Sequence, residues 1–185
     1  MFIKDLLSEF ISKISSGELE IYNEASIQYE LAIFLRQRLP NYKVQLERSI
    51  RYFGLKKQGF EKREIDIVIY DTALQDKHAI ELKYPTNGQY PEQMFSFCKD
   101  IRFLEQLAEN GFHENLFIVF ADDANFWTGK SAEDSIYRFF RGGIELQGTI
   151  TKPTGKKSHE IELRRNYTVK WENMNEKLKY WIAEI

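Results

Sequence analysis

Cysteine is nearly absent from this 185-residue chain, and the single thiol, Cys98, excludes an intramolecular disulfide and any cysteine-based zinc cluster. Histidine is almost as scarce. His78, His113 and His159 fall at no paired ligand spacing, which leaves no basis for a histidine metal site. Net charge is −2, so the chain as a whole is no magnet for nucleic acid, and any phosphate-binding surface has to be a local patch. Long apolar runs are missing too. In Met1–Leu7 charge interrupts the hydrophobic residues, so neither a signal peptide nor a membrane span is expected, and a cytoplasmic location is. No repeat, low-complexity tract or long linker divides the chain.

What is present is a globular composition rich in aromatics. Ten Tyr and fourteen Phe argue against disorder, and the length suits one domain spanning 1–185. Cys98 lies among Phe95, Phe97 and Ile101, which reads as a buried, inert thiol. Apolar periodicity predicts a helix over 2–15 and a second from the N-cap Asn23 to Arg38. A strand is expected over Tyr42–Phe53, complicated at Glu47-Arg48, followed by a polar, lysine-rich loop. A long helix over Pro91–Asn110 and a doubly buried strand at Leu116–Phe120 come next. Beyond residue 125 short strands are expected at Ile144–Thr151, Ser158–Leu163 and Tyr167–Trp171, the first two joined by a turn at Pro153-Thr154-Gly155. A last helix over 172–184 would align Met174, Leu178, Trp181 and Ile185.

Two further strands carry the chemistry. Glu64–Tyr70 and His78–Tyr84 both alternate, and side chains two apart share a face. Asp66 therefore lies with Val68 and Tyr70, while Glu81 and Lys83 lie with Ala79. If these strands pair, two carboxylates and an ammonium meet on one face of a sheet, a site suited to a hard divalent cation and a phosphate. Mg²⁺ (or Mn²⁺) takes one or two carboxylates and keeps its other positions for water and substrate oxygens. Asp66 and Glu81 would be those metal ligands, and Lys83 would orient the attacking water or stabilise developing charge. A Glu-x-Lys triplet alone says little, because same-face pairs are common as solvated ion pairs.

The order of helix, strand, Asp-bearing strand, Glu-x-Lys strand, long helix and buried strand resembles the PD-(D/E)xK nuclease superfamily. The likeness covers about residues 20–122, with Asp66 preceding Glu81-Leu82-Lys83 as the motif, and Ile65 standing where the name has proline. The resemblance implies an α/β, restriction-endonuclease-like αβββαβ core with a mixed central sheet flanked by helices. A small β-rich extension over about 125–185, with its terminal helix, would follow. It also implies a metal-dependent nuclease acting on DNA, with RNA as the alternative, in defence, restriction or repair. A catalytically inactive binding module of the same fold is the rival reading. Three further positions support the site. Glu24 fits the acid that many members carry at the start of the first core helix, with Gln28 one turn on and Glu30 as its rival; a first-turn acid also suits the helix dipole. Gln93 resembles a glutamine that some members place near the phosphate, and Glu64 shares the face of Asp66 in a secondary role. Lys56, Lys57, Lys62 and Arg63 lead into the Asp66 strand and are expected to grip the nucleic-acid backbone. Lys156-Lys157 and Arg164-Arg165 read as solvated surface. A homodimer would suit a double-strand cut. The aromatic 126–140 stretch and the C-terminal Trp residues could form a dimer face, although such residues more often fill a core.

Overall fold

The computed structural model describes residues 3–154 and 159–185. It is a mixed α/β structure whose main sheet combines parallel and antiparallel strands. Two N-terminal helices, α1 (Ile3–Ser15) and α2 (Glu24–Arg38), precede strands β1 (Lys43–Ser49), β2 (Glu64–Tyr70) and β3 (Lys77–Lys83). Helix α3 (Tyr90–Ala108) then leads to β4 (Leu116–Ala121). After a single-turn α4 (Tyr137–Phe140) come β5 (Leu146–Thr151), β6 (Glu160–Tyr167), β7 (Glu172–Asn173) and β8 (Lys179–Glu184). The main sheet runs β1-β2-β3-β4-β8-β7, and β5-β6 form a separate hairpin. Among the described residues only the β3–β4 pair is parallel, and a parallel pair needs a crossover, which α3 supplies.

Alternation along the strands sorts the core into two layers. In β4, Leu116, Ile118 and Phe120 pack with α1 and α2, while Phe117, Val119 and Ala121 pack with α3. The same rule places Ile67, Ile69, Ile80 and Leu82 on the α1–α2 side and Val68, Tyr70 and Ala79 on the α3 side. Ile65 breaks this alternation and belongs with Ile50 to the α3-side layer, although Ile67 and Ile69 lie on the other side. Helix α2 opens with a capping box: the Asn23 side chain accepts from the Ser26 N–H, and Ser26 accepts from the Asn23 N–H.

The C-terminal third corrects the sequence reading most. The predicted 172–184 helix is two strands, and β8 pairs antiparallel with β4 from Leu116↔Glu184 to Ala121↔Lys179. The expected strand Tyr167–Trp171 is also absent, because β6 runs unbroken to Tyr167 and ends there. The expected Tyr42–Phe53 strand stops at Ser49, and Ile50–Phe53 wind into one 3-10 turn closed by Gly54 at φ 77°. Gly155 of the expected turn, Lys156-Lys157 and Ser158 lie outside the described residues. Phe126, Phe139, Phe140 and Trp181 fill the core on the α3 side rather than a dimer face. Cys98 is fully buried with its Sγ on the Met94 carbonyl, and burial pushes the thiol well up. Among the described residues no helix is long and apolar enough to cross a membrane.

Helix α3 buries a second acid besides the one described below. Glu105 accepts from the Arg164 and Arg165 N–H groups at 3.0 and 2.9 Å, from the Tyr167 hydroxyl at 2.9 Å and from Arg102 at 3.0 Å. One carboxylate thereby satisfies the end of β6 and ties the hairpin to the helix.

At the opposite end of β3 from Lys83, Asp76 accepts from the Tyr42 hydroxyl at 2.6 Å and meets His78 and His113 at 3.1 and 3.2 Å. The Tyr42 hydrogen bond, opposed by partial burial and helped by His113 and His78, lowers its carboxyl from 3.8 to about 2. A depressed acid contributes stability above its unfolded value and loses it as pH falls through its folded value. Asp76→Asn is therefore expected to cost about 1 kcal/mol at neutral pH, discounted for the solvent that reaches this carboxylate. It should also flatten the stability decline between about pH 4 and pH 2, read by denaturant melts at each pH.

Candidate active site

The β2–β3 ladder runs from Tyr70↔Lys77 to Ile67↔Ile80 and goes no further. Beyond it the strands part, and side chains take over the backbone groups. Asp66 Oδ2 accepts the Leu82 N–H at 2.9 Å, and Glu81 Oε1 accepts the Asp66 N–H at 3.2 Å. Each carboxylate is thus fixed by the other strand's backbone. Gln28, on α2, donates to the Asp66 carbonyl at 2.8 Å and to Glu47 at 2.7 Å, pinning β2 from the other side. Glu47 itself takes φ 48°, the irregularity that sits opposite Asp66 in β1.

The free oxygens of both acids face one cation. Lys62 Nζ lies 3.1 Å from Asp66 Oδ1 and in direct contact with Glu81 Oε2, and a third acid, Asp100 Oδ1, stands 3.3 Å away. Lys83 Nζ lies 3.3 Å from Asp100 Oδ2, 3.5 Å from Glu24 and 2.7 Å from the Leu82 carbonyl oxygen. Asp100 therefore links two ammonium groups, and its buried Oδ2 makes no well-directed hydrogen bond. Four carboxyls share two ammoniums in the cluster.

Those charges set the protonation states. Burial and the neighbouring Asp66 push the fully buried Glu81 well up, with Lys62 opposing. Burial lowers Lys62, but Glu81, Asp100 and Asp66 outweigh it, so its ammonium is held charged. Lys83 behaves likewise, burial being overcome by Asp100, Asp66 and Glu24. Glu24 is raised by burial, with Lys83 acting against it.

Of the residues singled out in the sequence, Asp66, Glu81, Lys83 and Glu24 are brought together. Glu24, not Glu30, is the α2 acid that reaches Lys83. Gln93 bonds Asn87 at 3.1 Å in the first turn of α3 and makes no hydrogen bond to the cluster. Glu64 is exposed at the start of β2, and Lys56, Lys57 and Arg63 are exposed on the loop. Lys62, expected on the surface to hold phosphate, turns inward among the acids instead. Asp100 was missed, although a signal existed: it falls inside the apolar stripe of α3, between Phe97 and Leu104, where a charge is out of place.

Among the described residues no group of three or more His, Cys, Asp or Glu stands at a spacing that could hold a metal ion. The Asp66–Glu81 pair nevertheless fits a hard cation. Its donors are carboxylate oxygens, two suffice for Mg²⁺, and both already converge on a single positive charge. No protein-family model matches this chain, and neither does any curated protein or solved structure.

Proposed function

We propose that the chain is a metal-dependent nuclease of the PD-(D/E)xK type, with a restriction-endonuclease-like fold, hydrolysing phosphodiester bonds in DNA. The observation that carries this reading is the convergence of Asp66 and Glu81, from adjacent strands, on one cation position within reach of a network that holds Lys83 charged. The order α2-β1-β2-β3-α3-β4 and the mixed sheet are compatible with it. Asp66 and Glu81 would hold Mg²⁺ or Mn²⁺, which when bound supplies a Lewis acid and an activated water.

The chain's own residues do the rest. Lys83, kept as an ammonium by Asp100, Asp66 and Glu24, stabilises negative charge developing on the attacked phosphate. Asp100 and Glu24 fix where that ammonium points, and Gln28 holds the backbone of Asp66. Lys56, Lys57 and Arg63 line the loop that enters the site and would contact the backbone of the substrate without reading its sequence.

The test is digestion of single-stranded, double-stranded and branched DNA, and of RNA, in Mg²⁺, in Mn²⁺ and in chelator. Metal-dependent shortening of a DNA substrate is expected, with Asp66→Asn at least ~10²-fold slower. Inertness toward every substrate in both metals would sink the assignment. One observation favours a second reading, a nuclease-fold binding module without catalysis: Lys62 neutralises the acid pair from within. That module would retain DNA in a salt-sensitive manner and cleave none of it.

A further inference from the structure

We propose that the Lys62 ammonium and a divalent cation compete for the same Asp66–Glu81 pair, so that Lys62 is a tethered gate on metal binding. The inference rests on reading that pair as the metal ligands. It concerns how the site is regulated.

Three observations carry it. Lys62 alone contacts Asp66, Glu81 and Asp100 together, whereas Lys83 meets only Asp100 and Glu24 among the acids. The Glu81 carboxyl is completely dry, and Lys62 is the cation in direct contact with it. Lys62 also sits at the end of the 54–63 loop, four residues before Asp66, on a flexible stem rather than locked in a strand. Of the two ammoniums in the cluster it is the one not carried by a strand.

An ammonium and a divalent ion cannot both sit against these oxygens, because like charges a few ångströms apart in a poorly solvated site repel strongly. Metal binding must therefore expel Lys62 Nζ, and Asp100 Oδ1 loses its partner unless the stem swings only partway. Once expelled, Lys62 joins the exposed Lys56, Lys57 and Arg63 on the same loop, where it can meet a phosphate. Release would thus couple metal occupancy to substrate grip: bound nucleic acid offers Lys62 an alternative anion and so favours the metal-loaded site.

The experiment is Mn²⁺ binding to the full chain, followed by electron paramagnetic resonance, for the wild type, Lys62→Met and Lys62→Arg. Lys62→Met is expected to bind Mn²⁺ roughly tenfold tighter or more, because no charge-assisted contacts have to be broken first. Lys62→Arg keeps a cation in place and should not gain. Equal affinity in the wild type and Lys62→Met overturns the competition and leaves the metal pair standing. No Mn²⁺ binding in either overturns the metal pair as well. A second measurement needs no variant: lysine acetylation mapped by mass spectrometry with and without saturating Mn²⁺, using exposed Lys56 as the reference. Lys62 labelling should rise severalfold relative to Lys56 as metal expels it. Unchanged labelling at saturation contradicts the inference even if Lys62→Met fails to fold. Cleavage enters neither readout, so loss of the nuclease assignment would be recognised separately.

Discussion

Lys83→Ala is expected to lower cleavage by about 10²–10³-fold while leaving the melting transition nearly in place. The magnitude is that of losing one preorganised charge aimed at a developing anion. Its limited effect on folding follows from position. Lys83 is the last residue of β3, Asp100 would keep its contact with Lys62, and the half-exposed Glu24 can turn to water. Steady-state rates on whichever DNA substrate is cut, together with a thermal melt, check both halves. The loss should fall on kcat rather than KM, since the interaction strengthens only as charge develops. A variant with full activity would remove Lys83 from the chemistry, and a variant that no longer folds would make it structural.

Trp181→Ala is the largest expected change in stability, a loss of about 3–5 kcal/mol. Trp181 is 2% exposed on β8, its ring 5.6 Å from that of Phe117 and 5.9 Å from that of Phe140, and its indole N–H donates to the Thr168 carbonyl at 3.2 Å. Removing it opens a cavity between β4, α4 and β8 and removes the indole hydrogen bond. For a chain of this size the melting temperature should fall by roughly 10 °C. On the helix that the sequence suggested, the same residue would lie on an apolar seam with Met174, Leu178 and Ile185. A denaturant melt of the variant beside the wild type reads the loss.

That contrast shows where local pattern stops being informative. Met174, Leu178, Trp181 and Ile185 recur at helical spacing, yet β8 alternates as well, with Trp181 and Ala183 on one side and Tyr180 and Ile182 on the other. In so short a segment both periods fit, and the partner that decides between them, β4, is distant in sequence. β2 and β3 were legible because alternation, β-branched residues and flanking turns all agreed. So were α1, α2 and α3, whose apolar seams are long. The Asp66, Glu81 and Lys83 placement followed from strand parity alone. Lys62 did not, because loop composition cannot say where a long flexible side chain reaches. The surface reading of that lysine followed its sequence neighbours, whereas its ammonium lies among Asp66, Glu81 and Asp100. Asp100 lay between these cases: a carboxylate in an apolar helical stripe was visible, and only the packing of α3 over β3 reveals what it faces.

The most direct measurement compares the wild type with Asp66→Asn and Lys83→Ala, purified by one route, on the same DNA panel in Mg²⁺, Mn²⁺ and chelator. Parallel purification matters because a contaminating nuclease would copurify with all three. The expected result is cleavage by the wild type that requires metal and is lost in both folded variants. Equal cleavage by all three, or none by any of them, would contradict a nuclease site built on Asp66, Glu81 and Lys83.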